Sequence, residues 1–373
     1  MKDLVGREID YMRISITDRC NLRCKYCMPH GIDCVPRWDI LSLEEMLAVA
    51  ICAAGLGIRH IKVTGGEPLV RKDCCRLIRK LKAIPGIEKV TITTNGVLLD
   101  KYLQELAEAG IDGINISLDT LDRELYREIT GKDQLGEVLS VIEKASALPI
   151  PVKINAVSLD FNDLENDGNK NRKAAGAEYT GAVRAGSETA GVGLPAWQQL
   201  TQLAARLPVD VRFIEMMPIG YGKNFKTISH ETLLEKLREV YPGLRSDHRQ
   251  HGFGPAVYYN VPGFQGSIGL ISAIHGKFCD SCNRIRLTSQ GYLKSCLCYE
   301  DGVDLRKILR NGEEYHGQEE HYRWPLAADP GNEKLQKELS QAMRQAIMEK
   351  PAAHCFEHPG QITEGRSMIS IGG

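Results

Sequence analysis

Between residue 11 and about residue 217 the chain alternates short β-rich runs with helix-like stretches, and no other feature constrains its fold as much. The strand candidates are Tyr11–Thr17, His60–Thr64, Lys89–Thr94, Gly113–Leu118, Pro151–Val157 and Asp210–Met216. Helical patterns occupy 42–56, 72–84, 99–109 and 122–147, the last broken near Gly131, and Ser42-Leu43-Glu44-Glu45 reads as a capping box opening the first. Regular β-then-α alternation is the signature of a parallel sheet covered by helices. Six such units predict an α/β fold, an open or partial (β/α)6 barrel of the TIM-like kind, short of the full eight. In such barrels chemistry sits at the C-terminal ends of the strands.

Beyond residue 217 the pattern changes. A helix at about 229–240 precedes Gly- and aromatic-rich segments (Gly252 to Gly276) that look antiparallel, then comes a helix at 332–349 and a tail ending Ile371-Gly372-Gly373. The expected organisation is a barrel over 1–225 and a smaller α+β module over 226–373. Residues 158–195 and 313–333 fit neither: both are polar, lack a sustained period and read as inserted loops. His316 and His321, in the second insertion, are expected to face solvent.

The chain carries 47 basic and 48 acidic residues for a net charge of −1. No global field draws it to nucleic acid or to anionic lipid, so an anionic ligand needs a local cluster of cations. The N-terminus lacks a signal-peptide core, and the apolar run from Met46 to Ile58 is shorter than the ~18 residues a membrane span needs. A cytoplasmic location is expected. There, twelve cysteines are not explained by disulfides. Cys20, Cys24 and Cys27 form one cluster, and Cys279, Cys282, Cys296 and Cys298 another.

The first cluster has the spacing C-x3-C-x2-C directly after a predicted strand. Thiolates suit iron–sulfur clusters and zinc. Three cysteines leave one iron of a four-iron cluster open to a small molecule, whereas a structural zinc would want a fourth ligand, such as a distant His. Thr64-Gly65-Gly66-Glu67-Pro68, Thr93-Thr94-Asn95-Gly96 and Ser117-Leu118-Asp119 each follow a different predicted strand. Four polar motifs thus converge at the end where a barrel places its site. The second cluster reads C-x2-C-x13-C, with Cys298 available as a fourth ligand for a closed cluster or a zinc site. Gly220-Tyr221-Gly222-Lys223 imitates the end of a phosphate loop, but Asn224 stands where Ser or Thr is needed.

Phe278-Cys279-Asp280-Ser281-Cys282-Asn283-Arg284-Ile285-Arg286-Leu287 closely resembles the C-terminal motif of the GTP 3′,8-cyclases of molybdenum-cofactor biosynthesis, which belong to the radical S-adenosylmethionine superfamily. RISITDRCNLRCKYCMP, TGGEPLVR, TTNG, INISLD, VKIN, DVRFIEMMPIG and SMISIGG extend the resemblance over nearly the whole chain outside the two insertions. It implies two [4Fe-4S] clusters, the first on Cys20, Cys24 and Cys27 and the second on Cys279, Cys282 and Cys296. It implies S-adenosylmethionine against Tyr26, Gly66, Ser117 and Met217. GTP is implied against Arg13, Lys62, Thr93, Lys153 and Arg284-Ile285-Arg286, with Arg286 near the reacting centre and the Gly372-Gly373 tail reaching into the site. Arg13, Lys62 and Lys153 fall within predicted strands, where a charge facing an apolar layer is costly and one facing a substrate cavity is not.

The implied reaction removes hydrogen from C3′ of the GTP ribose by a 5′-deoxyadenosyl radical and joins C3′ to C8 of the guanine. An external one-electron donor, a downstream cyclic pyranopterin monophosphate synthase and a homodimer are the implied partners. One departure stands out: after Lys153-Ile154-Asn155 the family's Lys-Gly-x-Asn-Asp turn gives way to Asp160-Phe161-Asn162-Asp163 and the insertion.

Overall fold

The computed structural model describes residues 1–31, 35–159, 194–310 and 332–371. Both insertions lie almost entirely outside the described residues, as do Gly372 and Gly373. Six parallel strands succeed one another in sequence and in space: β1 (Tyr11–Ser15), β2 (His60–Thr64), β3 (Lys89–Thr94), β4 (Ile114–Ser117), β5 (Val152–Val157) and β6 (Val209–Ile214). Between them run α1 (Leu43–Gly55), α2 (Cys74–Lys82), α3 (Leu99–Glu108), α4 (Arg123–Thr130), α5 (Leu135–Ser146) and α6 (Ala196–Arg206). The expected partial (β/α)6 barrel is the observed fold.

Local chemistry sets the helix ends. Ser42 and Glu45 exchange side-chain-to-backbone hydrogen bonds in the expected capping box. The Asp122 carboxylate caps α4, and Gly131 ends it at φ +74°, a left-handed conformation that glycine adopts without strain.

The strands alternate strictly. Met12, Ile14, Ile61, Val63, Val90, Ile92, Ile114, Ile116, Ile154 and Val211 are all fully or nearly fully buried in one core with the helices. Interleaved with them on the opposite face are Arg13, Lys62, Thr91, Thr93, Asn115, Lys153, Asn155 and Arg212. Strands of a parallel sheet buried on both faces usually read as continuous apolar runs. A period-2 pattern here means that the face away from the helices lines a polar interior.

The second half of the chain continues the same sheet at both edges. After α7 (His230–Val240) come β7 (Arg245–Asp247), β8 (Val257–Asn260) and β9 (Ile268–Ile271), and β9 lies parallel to β6. The remaining strands are β10 (Arg284–Leu287), β11 (Tyr292–Lys294) and β12 (Val303–Asp304), and β10 lies parallel to β1. The twelve strands run β12-β11-β10-β1-β2-β3-β4-β5-β6-β9-β8-β7. The expected antiparallel character holds for β7-β8-β9, but β9 joins the parallel set through its other edge. Then α8 (Leu305–Leu309) and α9 (Glu333–Met348) complete the helical layer, α9 packing on α1 and α8.

Which residues come near one another shows that the sheet is curved. At ~4.8 Å per strand, β1 and β6 would stand far apart in a flat sheet. Yet Arg212 of β6 acts on both Tyr11 and Arg13 of β1. The strands curl until their polar faces confront one another.

Candidate active site

A cavity of about 360 Å³ opens at the C-terminal ends of the strands, and both cysteine trios line it. Cys20, Cys24 and Cys27 sit in the loop after β1. That loop is pinned by main-chain bonds from Arg23 to Thr130 (2.8 Å) and from Lys25 to Ile129 (2.9 Å). Leu22 N–H points at the Cys20 sulfur at 3.4 Å. Burial pushes all three thiols up, Cys27 to about 12, with the Asp119 carboxylate adding to the effect on Cys24 and Glu67 to that on Cys20.

The motif after β2 wraps closely round this loop. A Cβ on Gly66 would lie 2.3 Å from the Arg19 carbonyl oxygen, and one on Gly65 2.7 Å from that of Thr17, so only glycine admits this approach. Glu67 is buried beneath, accepting from Leu69 N–H (3.0 Å), Thr94 Oγ1 (2.8 Å) and Asn95 N–H (2.7 Å). Burial still raises its carboxyl to about 7. Tyr26 donates to Asp119 Oδ2 at 2.7 Å, and Val157 N–H holds the other oxygen at 2.8 Å. Ser117 and Met217 line the same cavity.

Cys279, Cys282 and Cys296 form the facing wall. His354 N–H points at Cys279 Sγ at 3.4 Å. Burial alone would raise Cys282, but Lys350, Arg284 and Arg286 outweigh it and the thiol titrates below its ordinary value. Cys298 turns elsewhere: its sulfur lies 3.2 Å from that of Cys355, inside a small core with Ile219, Leu297 and Phe356. Each trio thus offers three thiols around one cavity, the donor set of a multi-iron cluster with an open iron. Among the described residues no three Cys, His, Asp or Glu side chains gather for a single metal ion.

Beneath the cavity lies a floor of cations. Arg286, Arg13 and Lys62 are in register across β10, β1 and β2. Lys153 of β5 and Arg212 of β6 approach from the far side. Burial, with Arg284 and Arg212 adding to it, lowers Arg13 to about 10. Burial and then Arg212 lower Lys153 to about 8, and burial with the surrounding cations holds Lys62 well below its ordinary value. Like charges held together out of water call for an anion among them.

Two families match the chain: the Radical SAM superfamily over residues 14–166, and Molybdenum Cofactor Synthesis C over 209–356. A GTP 3′,8-cyclase of Clostridium perfringens (strain 13 / Type A) is 39% identical over the full length of both chains. One of Alkaliphilus oremlandii is 36% identical, again over all of both. The chain belongs to the GTP 3′,8-cyclase family.

The fold agrees. The structure of Streptococcus suis SuiB bound to S-adenosylmethionine superposes with a TM-score of 0.56 at 13% identity, covering 98% of this chain and 78% of that one. Membership of the radical S-adenosylmethionine superfamily brings that cofactor and an iron–sulfur cluster, and the thiols after β1 stand where strand ends converge.

For this cyclase-family chain, the structure gathers Tyr26, Gly66, Ser117, Met217, Thr93, Arg13, Arg284 and Arg286 around one cavity, together with all six expected cysteine ligands. Lys62 and Lys153 lie deeper, next to the same cations. Ile285 is not brought in: its side chain alternates away from Arg284 and Arg286 into the apolar core. Gly372 and Gly373 lie outside the described residues, although Met368 and Ile369 just before them line the cavity. Gly220, from the imitation phosphate loop, packs on this tail instead; a Cβ there would lie 2.9 Å from Ser367 Cα.

The sequence alone assigns no role at the site to Arg212, Gly269, Asn155 or Lys350. Arg212, clamped by two bonds to Asn155 Oδ1 (2.9 and 2.5 Å), carries the signal already used for Arg13, a cation alternating with apolar residues inside a strand. Gly269 makes room for it, since a Cβ there would approach Arg212 Cγ to 2.9 Å. Asn155 stands opposite Arg212 in register. Lys350, donating to the carbonyls of Arg284 (3.0 Å) and Ser295, follows α9 with no periodic signal at all.

Proposed function

We propose that this protein converts GTP to (8S)-3′,8-cyclo-7,8-dihydroguanosine 5′-triphosphate, the first step of molybdenum-cofactor biosynthesis. One observation carries the reading: two three-thiol walls face each other across a single cavity whose floor is a buried cation cluster. Cys20, Cys24 and Cys27 hold the first [4Fe-4S] cluster, and Cys279, Cys282 and Cys296 a second. When bound, the first cluster and S-adenosylmethionine supply a single electron and a hydrogen-abstracting radical.

The chain's own residues do the positioning. Gly65 and Gly66 bring main chain close to the cofactor; Tyr26, Ser117 and Met217 border it. Arg13, Lys62, Lys153, Arg212 and Arg284 hold the triphosphate by charge-assisted hydrogen bonds, guanidinium forks matching phosphate oxygens. Thr93 borders the sugar, and Arg286 lies beside the reacting ribose. With phosphates at the floor and the base at the second thiol wall, the ribose is presented to the first wall. Gly372 and Gly373 complete the site from the tail.

An external donor supplies the electron, and an enzyme that rearranges the cyclised nucleotide to a cyclic pyranopterin monophosphate consumes the product. The protein works as a homodimer in the cytoplasm, whose reducing conditions keep both trios as thiols. No described helix is long and apolar enough to cross a membrane.

The test is anaerobic: reconstitute the clusters, add reductant and S-adenosylmethionine, and follow 5′-deoxyadenosine with and without GTP by mass spectrometry. GTP-dependent 5′-deoxyadenosine together with a cyclised nucleotide supports the reading. Cofactor cleavage indifferent to GTP would point to a shifted substrate. Iron binding without any cleavage would point to a disabled relative.

A further inference from the structure

The opposite end of the barrel holds a device the reading above does not use. The segment 247–253, from the end of β7, tucks against the N-terminal ends of the strands. Phe253 stacks on His60, the first residue of β2, with ring centroids 3.5 Å apart. His251 stacks on Tyr258 at 4.0 Å and 14°. Between them, Gly252 adopts φ +147° and passes so close to Lys153 that a Cβ would lie 3.1 Å from Nζ. The segment therefore closes the floor directly beneath that ammonium.

His251 stands between two carboxylates. Its Nδ1 lies 2.9 Å from Asp210 Oδ2 and its Nε2 3.0 Å from Asp247 Oδ2. Both bonds are made when each nitrogen carries a hydrogen. Asp247 is itself fixed, by Arg249 Nη2 at 2.7 Å and Ser267 Oγ at 2.9 Å, so the ring has a firm footing. Asp210 accepts Ser267 N–H at 3.3 Å through Oδ1, which leaves Oδ2 to the side chains around it. It sits opposite Lys153 in the β5–β6 register, and its Oδ2 is also 3.8 Å from Lys153 Nζ. One carboxylate oxygen is shared between an imidazole and an ammonium, with the imidazole nearer. Lys153 also reaches Tyr258 Oη at 3.3 Å, the ring on which His251 lies.

A carboxylate beside a partly buried ammonium competes with any phosphate for the same N–H groups. We propose that His251 is a positioning residue for the triphosphate end of the site: by holding Asp210, it keeps that carboxylate from capturing Lys153 and leaves the ammonium to the substrate phosphates. This rests on the reading of the cation floor as a triphosphate site. His251 touches no substrate and acts only through Asp210 and Lys153.

Binding separates the two claims without turnover. Reconstituted protein, kept anaerobic and without reductant, is titrated calorimetrically with GTP, GMP and S-adenosylmethionine. His251→Leu is expected to weaken GTP about tenfold, GMP less, and S-adenosylmethionine not at all. His251→Asn retains a donor near the Nδ1 position and is expected to stay within about twofold of wild type. In the double variant Asp210→Asn/His251→Leu the competing charge is gone, and GTP affinity returns. The proposal is overturned if His251→Leu binds GTP as wild type does, if it loses GTP and S-adenosylmethionine together, or if Asp210→Asn brings no recovery. Wild-type protein that binds no GTP would instead sink the functional reading on which the proposal stands.

Discussion

The two cysteine trios face one cavity from opposite electrostatic surroundings. Around Cys20, Cys24 and Cys27 the charges that matter are carboxylates: Asp119 acts on Cys24, Glu67 on Cys20, and burial raises all three thiols. Around the second trio they are cations: Lys350, Arg284 and Arg286 bring Cys282 down despite burial, while Arg7 only offsets part of the burial that raises Cys279. Had ligand chemistry alone shaped these walls, they would look alike. Their difference matches two different guests. A sulfonium cofactor carries positive charge and suits the wall with Asp119 and Glu67. A nucleoside triphosphate carries about four negative charges and suits the wall continuous with the arginines. On the proposed reading, the carboxylates lie on the side of the sulfonium and the cations on the side that runs down to the triphosphate floor.

The comparison breaks most decisively at the cysteines. Cys27→Ala is expected to abolish both 5′-deoxyadenosine and cyclised nucleotide. Cys282→Ala should abolish the nucleotide while leaving some GTP-independent cofactor cleavage. If Cys282→Ala silences cleavage too, the walls do not divide the labour as described.

Arg212→Ala sharpens the cationic side. It removes two bonds to Asn155 and one charge of the floor, and should raise KM for GTP ~10- to 100-fold with KM for S-adenosylmethionine unchanged. An equal rise in both would mean the residue shapes the barrel and not the anion site.

The second wall is also fastened by Lys294, two residues before Cys296, whose ammonium pairs with Glu364 with both side chains fully buried. Lys294→Met removes one of the two cations on the Glu364 carboxylate, which Arg366 still holds at 3.0 Å on each oxygen, and should cost ~1–3 kcal/mol in denaturant unfolding. Adding Glu364→Leu should recover most of that loss. Absence of recovery would show that Lys294 acts through its bond to the Tyr299 carbonyl instead.

On the carboxylate side, Tyr26→Phe deletes the bond to Asp119 and should raise KM for S-adenosylmethionine ~3- to 10-fold, sparing GTP. The smallest effect is a pH slope. Glu67 is raised from its ordinary value to about 7, so the folded state binds its proton more tightly than the unfolded chain. Its contribution to stability is full below the ordinary carboxyl pKa and is lost as pH rises through about 7. Glu67→Gln should therefore flatten the fall in Tm between about pH 5 and 7.5. An unchanged slope would assign that fall to another group.

The barrel was legible because alternation is a local pattern. Ile61-Lys62-Val63 and Val152-Lys153-Ile154 declare an apolar and a polar face within three residues, and the six strand candidates match β1 to β6 closely. The cysteine trios were legible for the same reason, as spacings within one loop or one hairpin. A motif read as a run passes over the pleat, which turns the Ile285 side chain to the core and those of Arg284 and Arg286 to the opposite face. Arg212 was visible in principle and passed over inside a motif. Lys350 was invisible, since a single cation after a helix has no period.

From residue types and spacing alone came the strand–helix alternation, the two thiol sets and a supply of cations inside strands. These depend on neighbours a few positions apart, where covalent geometry and the periods of helix and strand control the outcome. Only the tertiary structure decided which face each cation shares, that β9 and β10 extend one sheet at both edges, and that Cys298 pairs with Cys355 instead of joining the second trio. It also brought His251 beneath Lys153. Those relations join residues tens to hundreds of positions apart. They exist because the sheet curls, and curling is a property of all its strands packed together, which no local stretch of sequence encodes.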